Sequence, residues 1–408
     1  MKIRWITSVL GTAPATAVDD ESDVSVVDVR TLVDKAGNSV DAVREKIREG
    51  VELLAEGKRT VICCDYGMSR SNAVAVGVLA NYEKIDFEAA LSRVLDATGE
   101  REIKLQPLSV VRSALGESPS KQRLGGERSV LVTGGNGFLG RALRMATGSE
   151  FELIAPTSSD LDISLGSTQL SLLANEKEVD CVVHLANPRV YTSNIALGKS
   201  LTMLRNVIDV CLANDLKLLY PSRWEVYSGY SGPISADEST SPLPRGPYGE
   251  SKYLAELLIE HCRKTEGLRC LILRSGAVYG AGGDKPKFIY SFIEKARRSE
   301  TIITHEYSNG APSLDLLYVD DFITALQLAL KTEFTGDLNI GTGQVTSTQE
   351  IAQMIVKYLK SNSKIETVSI DADVACVKLD WRLASEVLDW QSTLNVEDGL
   401  SRILSGVT

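Results

Sequence analysis

The sequence predicts an α/β protein with a small N-terminal α/β domain and a larger doubly wound parallel sheet that ends in a smaller C-terminal part. Two observations predict this class. Apolar strand-like runs alternate with helix-like segments in both halves of the chain. Between the halves, residues 116–128 are rich in Gly, Ser and Pro and show no apolar periodicity. We therefore expect domains over residues 1–117 and 128–408, joined by a linker over residues 118–127.

The N-terminal half contains two strand-like runs, VSVVDV at residues 24–29 and TVICC at residues 60–64. Between them, Ser39 is a good helix N-cap and precedes apolar residues spaced three and four apart. These apolar residues are Val40, Val43, Ile47, Val51 and Leu54. The pattern predicts an amphipathic helix that connects the two strands.

The C-terminal half contains apolar runs that alternate with helical segments. The runs are SVLVTG at 129–134, FELIA at 151–155, DCVVHLA at 180–186, LKLLY at 216–220 and LRCLIL at 268–273. Strands that alternate with helices in this way form parallel sheets covered on both faces. We therefore expect a doubly wound sheet.

Composition and charge exclude several functional classes. The 408 residues carry 44 Lys+Arg against 54 Asp+Glu, a net charge of −10, whereas nucleic-acid binding usually requires a basic face. No stretch approaches the ~18 to 20 continuous apolar residues that span a bilayer. The seven cysteines form no CxxC pair, and the three histidines stand at no metal-ligand spacing. We expect no nucleic-acid partner, no membrane, no metal, and a reduced cytoplasmic protein.

The run TVICC leads directly into Cys64-Asp-Tyr-Gly-Met-Ser-Arg70-Ser71, and an apolar helix follows. A loop of this kind points backbone N–H groups at one spot, and the helix dipole adds positive potential there. Both effects favour a bound phosphate and lower the pKa of the Cys64 thiol. Arg70 can hold two phosphate oxygens, and Ser71 can donate a hydrogen bond to the departing thiolate.

This segment resembles the dual-specificity branch of the cysteine-dependent protein phosphatases, whose signature is HCxxGxxRS, over about residues 1–117. In that family an aspartate on an upstream loop protonates the leaving oxygen. The resemblance implies this role for Asp34, with Asp28 as the alternative. The chain has Cys63 where the family usually has His, which predicts a less activated Cys64. A phosphate-binding loop without turnover is the alternative interpretation.

A glycine-rich turn and a Tyr-Lys pair stand in the C-terminal half. The run SVLVTG leads into Gly134-Gly-Asn-Gly137-Phe-Leu-Gly140, whose spacing lets the turn close and the backbone approach a pyrophosphate. Tyr248 and Lys252 are four residues apart and so share one face of a predicted helix. A nearby ammonium lowers the pKa of a phenol, which can then exchange a proton while a nicotinamide exchanges hydride.

With LRSGAVYG at 273–280 and LLYVDDF at 316–322, these motifs resemble the extended short-chain dehydrogenase/reductases, and most closely their NAD-dependent epimerase/dehydratase group. The resemblance covers roughly residues 128–408. It implies a Rossmann fold, NAD or NADP as cofactor, a nucleotide sugar as substrate, and a homodimer. The implied cofactor-binding residues are Gly134, Gly137, Phe138, Leu139, Gly140, Asp162, Leu185, Ala186, Asn187, Tyr248 and Lys252. Because hydroxyls rather than a carboxylate follow FELIA, the choice between NAD and NADP stays open.

The chain departs from the group's pattern in three places. Arg223 occupies the slot of the substrate-orienting Ser or Thr, with Ser222 one position earlier as the candidate replacement. Trp224 and Glu225 stand where sugar 4,6-dehydratases carry Asp-Glu, which disfavours dehydration. The run SLDLLYVDD, residues 313–321, lacks the arginine that binds a nucleotide diphosphate.

We interpret the chain as a bifunctional enzyme of sugar metabolism. A phosphomonoesterase that uses Cys64, Arg70, Asp34 and Ser71 would be fused to a sugar epimerase or reductase that uses Tyr248 and Lys252. Its substrates would be sugar phosphates or nucleotide sugars, as in bacterial surface-polysaccharide synthesis. The first alternative is a regulatory protein phosphatase with a dinucleotide-sensing domain. The second is a binding protein in which neither site turns over.

Overall fold

A computed structural model describes residues 2–18, 23–34, 37–100, 102–116, 128–148, 150–188 and 193–406. The predicted linker, residues 118–127, lies outside these ranges. Backbone contacts divide the chain into two compact units. The first comprises Met1–Gly126, Ser158–Val179 and Arg205–Leu216, and the second comprises Glu127–Thr157, Asp180–Leu204 and Lys217–Thr408. The first unit thus includes two segments of the predicted second domain, and the domain boundaries stay a prediction.

The described elements up to residue 126 are four strands and four α-helices. The strands are β1 (Arg4–Trp5), β2 (Leu10–Pro14), β3 (Ser25–Asp28) and β4 (Thr60–Cys64). The helices are α1 (Val40–Ala55), α2 (Arg70–Glu83), α3 (Phe87–Thr98) and α4 (Leu105–Ala114).

The strands of the remaining chain are β5 (Arg128–Thr133), β6 (Phe151–Ile154), β7 (Cys181–His184), β8 (Lys217–Arg223), β9 (Gly232–Ala236), β10 (Cys270–Ser275), β11 (Ala277–Tyr279), β12 (Ile302–Tyr307), β13 (Ser313–Leu314), β14 (Leu316–Tyr318), β15 (Gly336–Ile340), β16 (Thr346–Ser347), β17 (Ile365–Ile370) and β18 (Ala375–Leu379). The helices are α5 (Phe138–Ala146), α6 (Thr168–Glu176), α7 (Asn194–Ala213), α8 (Gly246–Glu266), α9 (Lys287–Arg297), α10 (Val319–Lys331), α11 (Thr348–Leu359), α12 (Arg382–Leu388) and α13 (Val396–Ser405).

The first unit contains a four-stranded sheet in the order β1-β2-β4-β3. Strands β2 and β3 flank β4 in parallel, and β1 pairs with β2 in the antiparallel sense. The predicted helix is α1, and the Ser39 side chain accepts a hydrogen bond from the backbone N–H of Ala42. Val43, Ile47 and Leu54 of its predicted apolar face are buried. Periodicity and capping therefore predict this element correctly.

Helix α2, which follows the cysteine-containing loop, is buried along most of its length. Two glycines allow α1 and α2 to approach closely. A Cβ added at Gly77 would lie 2.6 Å from Ile47 Cδ1, and one added at Gly50 would lie 2.7 Å from Val78 Cγ2. The N-terminus of α2, and with it the loop, is therefore held by close packing.

The second unit contains a six-stranded parallel sheet in the order β15-β10-β8-β7-β5-β6. All five predicted apolar runs form strands of this sheet, which confirms the doubly wound parallel fold. The chain passes from β5 outward to β6 and returns to β7 on the other side of β5. The carboxyl ends of β5 and β7 thus border a topological switch point, where such sheets bind ligands.

The C-terminal part of the second unit adds smaller sheets, one of β12 and β17 and one in the order β16-β13-β18-β9. One continuous buried apolar cluster joins the main sheet to helices α10 to α13 and to the segment after α12. It includes Phe322, Ile351, Leu388, Trp390 and Leu400. Among the described helices, none is sufficiently long and apolar to cross a lipid bilayer.

Candidate functional site

The loop after β4 surrounds the Cys64 sulfur with donors. Sγ accepts a hydrogen bond from the backbone N–H of Gly67 at 3.2 Å and lies 3.4 Å from the Ser71 hydroxyl oxygen. Gly67 has φ +68°, and an added Cβ would lie 2.3 Å from the backbone nitrogen of Pro14. Only glycine fits this turn without strain, so it fixes the position of the donor over the sulfur.

The pKa of the Cys64 thiol lies below its usual value. Burial raises this pKa, but hydrogen bonds from the Ser71 side chain and from backbone groups of Tyr66, Met68 and Ser71 outweigh burial. A lowered pKa populates the thiolate, which is the nucleophilic form. The loop therefore lowers the pKa of Cys64, and whether Cys63 in place of the family's histidine leaves this thiol less activated stays a prediction.

Arg70, the first residue of α2, is held by several groups. Its Nη1 donates to the carbonyl oxygens of Leu32 at 2.9 Å and Arg30 at 3.2 Å, and its Nη2 donates to Asp65 Oδ2 at 2.5 Å. Its Nε lies 3.7 Å from Asp34 Oδ1. The structure thus brings Asp34, Arg70 and the Cys64 loop together, as the sequence predicts.

A cleft of about 550 Å³ opens above this loop. It is lined by Asp34, Cys64, Tyr66, Met68, Ser69, Arg70, Gly99, Glu100, Glu102 and Lys104. Within the described part of the chain, three buried polar atoms of this lining have no hydrogen-bond partner: Asp34 Oδ1, Ser69 Oγ and Arg70 Nε. Unpaired donors at a helix N-terminus are suited to an incoming anion.

Several residues around this cleft were not predicted from the sequence. Glu100, Glu102 and Lys104 come from the segment between α3 and α4, and only tertiary structure brings them to the loop. Asp65 carried a local signal, because it lies between the cysteine and the arginine of the motif. The alternative acid, Asp28, forms an exposed ion pair with Arg30 at 2.6 Å.

The glycine turn after β5 leaves different amounts of space at its three motif glycines. A Cβ added at Gly134 would lie 2.7 Å from the Ala186 nitrogen, and one at Gly140 would lie 2.5 Å from Gly135 Cα. These two glycines are required for backbone packing. At Gly137, the N-cap of α5, an added Cβ would have only Gly134 O nearby, at 3.2 Å. The space beside this helix N-terminus fits an anionic group.

The other predicted cofactor-binding residues have varied surroundings. Phe138, Leu139 and Leu185 are partly buried against the core of the second unit. Asn187 accepts a hydrogen bond from the Ser200 hydroxyl at 3.1 Å. Asp162 belongs to the first unit, where its carboxylate accepts from the backbone N–H and hydroxyl of Ser164. Their roles toward a cofactor stay predictions.

Lys252 lies one turn after Tyr248 in α8 and is held by two acceptors. Its Nζ donates to the Pro221 carbonyl oxygen at 2.9 Å and to the Tyr220 hydroxyl at 3.2 Å. Burial, and next the positive charge of Arg223, lower the pKa of Lys252 to about 8. The ammonium is therefore positioned by the end of β8 and loses its proton more readily than an ordinary lysine.

Tyr220 is a residue of this site that the sequence did not indicate. It is 3% exposed, and burial raises its pKa well above the usual value, so it stays neutral. The His184 ring stacks on it with 6.1 Å between centroids, and His184 Nδ1 lies 2.7 Å from Thr133 Oγ1. Burial lowers the pKa of His184 to about 3, so its imidazole is also neutral. The Lys252 ammonium thus lies over the neutral, buried ring of Tyr220, 4.6 Å from the ring centroid.

Ser222, the predicted replacement for the missing hydroxyl, points into a buried network. Its Oγ donates to Glu256 Oε1 at 2.5 Å, and Arg274 Nη2 donates to Glu256 Oε2 at 2.8 Å. A catalytic role for Ser222 would require its hydroxyl to leave this carboxylate. The neighbouring Arg223 is partly buried, and its Nε donates to Glu225 Oε2 at 3.2 Å.

Among the described residues, no group of three or more His, Cys, Asp or Glu side chains is arranged to hold a metal ion. The described residues therefore form no metal centre at either candidate site.

The family described as "NAD dependent epimerase/dehydratase family" matches residues 130–341. The "Low-salt glycan biosynthesis protein Agl12" of Haloferax volcanii is 29% identical over 221 residues, covering 53% of this chain and 66% of that protein. A "UDP-glucuronate 4-epimerase" of Thermodesulfobacterium geofontis is 27% identical over 239 residues, covering 56% and 72%.

The solved structure of UDP-glucuronic acid 4-epimerase from Bacillus cereus, in complex with UDP-glucuronic acid and NAD, is similar with a TM-score of 0.57 and 25% identity. That likeness covers 69% of this chain and 100% of the other. The family match begins at residue 130, so the phosphatase resemblance of residues 1–117 stays a prediction. The match over residues 130–341 confirms the predicted family and its cofactor class, NAD or NADP. This chain belongs to the NAD-dependent epimerase/dehydratase family.

Proposed function

We propose that the region from residue 128 onward is an NAD(P)-dependent epimerase or reductase that acts on a sugar or nucleotide sugar. The observation that carries this proposal is the buried Lys252 ammonium, held one helical turn from Tyr248 in the same unit as the glycine turn. The relatives support the substrate class, since their names refer to UDP-glucuronate epimerisation and glycan biosynthesis. Surface-polysaccharide synthesis is the process in which we place it.

Gly134, Gly137 and Gly140 would hold the pyrophosphate of the dinucleotide at the N-terminus of α5. When bound, the nicotinamide accepts or returns a hydride. Tyr248 takes the proton from the substrate hydroxyl as its carbon is oxidised, and returns a proton on reduction. The positive charge of Lys252, one helical turn away, would stabilise the negative charge of a tyrosinate.

Two side chains narrow the reaction. Trp224 stands where a sugar dehydratase needs a carboxylic acid, so elimination of water lacks its proton donor. Arg223 is always charged and therefore cannot act as a base. Both features favour simple hydride and proton exchange, by epimerisation or reduction, over dehydration.

The test is turnover of UDP- and dTDP-linked sugars with NAD(H) and NADP(H) by the full chain and by Tyr248→Phe. We expect the variant to bind cofactor normally but to lose activity by about 10²- to 10⁴-fold, because the acid/base is gone. Tyr253→Phe, on the same helix, is the matched control and should keep activity. Equal turnover by wild type and Tyr248→Phe would contradict the assignment.

We also propose that residues 1–117 form a cysteine-dependent phosphomonoesterase. The supporting observation is the lowered pKa of Cys64 in a cleft whose lining holds three buried polar atoms without a hydrogen-bond partner, Asp34 Oδ1, Ser69 Oγ and Arg70 Nε. The Cys64 thiolate attacks phosphorus, a sulfur–phosphorus bond forms, and the ester oxygen leaves with a proton from Asp34. Water then cleaves the sulfur–phosphorus bond, Asp34 takes its proton, and Ser71 stabilises the departing thiolate.

The test of this second function is phosphate release by the full chain and by Cys64→Ser, with Cys376→Ser as the control. The substrates are an aryl phosphate, a phosphotyrosine peptide and several sugar phosphates. Cys64-dependent release from a sugar phosphate supports consecutive steps on one sugar by the two regions. Preference for the phosphopeptide favours the regulatory phosphatase instead. If no substrate is cleaved in a Cys64-dependent way, the phosphatase proposal is wrong.

A further inference from the structure

Asp65, the residue directly after Cys64, forms an ion pair with Arg70, the arginine proposed to bind phosphate. Asp65 Oδ2 accepts from Arg70 Nη2 at 2.5 Å, and the Asp65 side chain is 53% exposed. The Arg70 side chain is only 11% exposed, so the pair lies at the rim of the cleft with its cation inward. A carboxylate of the loop itself therefore binds where a substrate phosphate is expected.

Arg70 has few donors left for a second anion. Its Nη1 is committed to the carbonyl oxygens of Leu32 and Arg30. A phosphate held in a bidentate manner needs two adjacent donors of the guanidinium fork. The remaining adjacent pair is Nε, which has no hydrogen-bond partner among the described residues but lies 3.7 Å from Asp34 Oδ1, and Nη2, which donates one N–H to Asp65. Because Asp65 holds one of the two Nη2 N–H groups, its carboxylate competes with a phosphate for this pair of donors.

The rest of the cleft adds negative charge around the same point. Asp34, Glu100 and Glu102 line it together with the cations Arg70 and Lys104. Lys104 lies 3.7 Å from Asp34. Glu100 is ion-paired with Arg4, whose side chain also donates to the Gly67 carbonyl. A displaced Asp65 carboxylate, like Glu102, would lie close to the group that is esterified to the phosphate.

We propose that Asp65 selects phosphomonoesters that carry no second anionic group. The inference rests on the proposed phosphatase function and names the substrate class of that site. A phosphate dianion displaces the carboxylate from Arg70 by its greater charge and by contacts with the loop N–H groups. The displaced carboxylate then remains close by and repels a second phosphate or carboxylate on the ligand. Sugar monophosphates meet this requirement, whereas bisphosphates and acidic phosphopeptides do not.

The test measures anion binding at Cys64 without turnover. In the full chain, the rate of Cys64 alkylation by iodoacetamide is followed by mass spectrometry at increasing concentrations of two inert probes. Methylphosphonate carries one anionic group, and methylenediphosphonate carries a second. The concentration that protects half of Cys64 gives the affinity of each probe for this loop. Asp65→Asn is compared with wild type, and Asp41→Asn, which removes the exposed pair with Arg44, is the matched control.

We expect wild type to bind methylphosphonate more tightly than methylenediphosphonate. In Asp65→Asn, methylphosphonate should bind about twofold to fivefold more tightly, the size expected for loss of a competing exposed ion pair. The affinity for methylenediphosphonate should increase by a larger factor, so that the difference in affinity between the two probes becomes smaller. Asp41→Asn should bind both probes as wild type does. Unchanged affinities in Asp65→Asn, a wild-type preference for the diphosphonate, or no protection by either probe would each overturn the proposal.

Cys64-dependent phosphate release, measured on the same proteins, separates the two claims. Turnover by wild type with no effect of Asp65→Asn on probe binding refutes the role of Asp65 and leaves the phosphatase standing. The expected probe selectivity without any turnover refutes the phosphatase and leaves an anion-selective binding loop.

Discussion

Strand β4 in the first unit and strand β5 in the second both end in a turn that leads into a helix, yet the two turns present different groups. The turn after β4 places a thiol under backbone N–H groups, and α2 begins with the side chains of Arg70 and Ser71. The turn after β5 is built from glycines, and α5 begins at the open Gly137. Under the functions proposed above, the same strand–turn–helix geometry would serve as a reactive site where side chains crowd the helix N-terminus, and as a cofactor site where they are absent.

The largest expected effect concerns the acid of the first site. Asp34→Asn should lower Cys64-dependent hydrolysis of an alkyl phosphate by about 10²- to 10⁴-fold, because the leaving oxygen loses its proton donor. Asp28→Asn should leave the rate unchanged, since the Asp28 carboxylate is engaged by Arg30, whereas Asp34 lines the cleft with Cys64. Phosphate release by both variants is the measurement. A loss confined to Asp28→Asn would assign the acid to the other aspartate.

The next effect tests the requirement for glycine in the second turn. Gly140→Val should weaken NADH binding about 10- to 100-fold, because overpacking against Gly135 at 2.5 Å shifts the turn from the helix. Fluorescence titration of NADH measures this. Gly148→Ala is the control, since an added Cβ there meets nothing within 4 Å. If Gly140→Val bound NADH like wild type, the turn would not be the pyrophosphate site.

The pH dependence of the second activity should show whether that site needs a charged Lys252. Because the pKa of Lys252 is lowered to about 8, the second activity should fall above about pH 8 as the ammonium loses its proton. The expected slope is about tenfold in kcat/KM per pH unit. Cofactor affinity measured at the same pH values separates this loss from weaker binding. Activity that stayed constant up to pH 10 would exclude a need for charged Lys252.

The smallest effect concerns the Ser71 hydroxyl. Ser71→Ala removes a donor to the thiolate and should raise the pKa of Cys64 by about one unit, since a hydrogen bond to a charged group is worth about 1.5 kcal/mol or more. The pH dependence of Cys64 alkylation gives this pKa directly. Ser113→Ala, on the exposed side of α4, is the control. An unchanged pKa in Ser71→Ala would assign the activation of Cys64 to the backbone N–H groups alone.

The sequence predicts the parallel sheet and both turns because their signals are local. Buried strands such as β5 and β10 are continuous apolar runs, and the glycine and cysteine motifs directly join strand to helix. Strand β17 escaped prediction, because its residues are mostly exposed and give no apolar run. Contacts between distant residues were also missed. The hydrogen bond from Ser222 to Glu256, 34 residues later, follows from packing of α8 on β8. The sequence around Ser222 contains no pattern that predicts it.

The close approach of α1 and α2 at Gly50 and Gly77 has a consequence for the cost of charge formation at Cys64. Val78 of α2 lies against Gly50 of α1, and Ile47 of α1 lies against Gly77 of α2, so close packing opposes tilting or sliding of α2. The dipoles at its N-terminus are therefore oriented before negative charge develops in the cleft. Since donors fixed in advance need not rotate as an anion forms, the reorganisation energy for ionisation of the Cys64 thiol is kept small, and the proposed phosphoryl group would benefit in the same way.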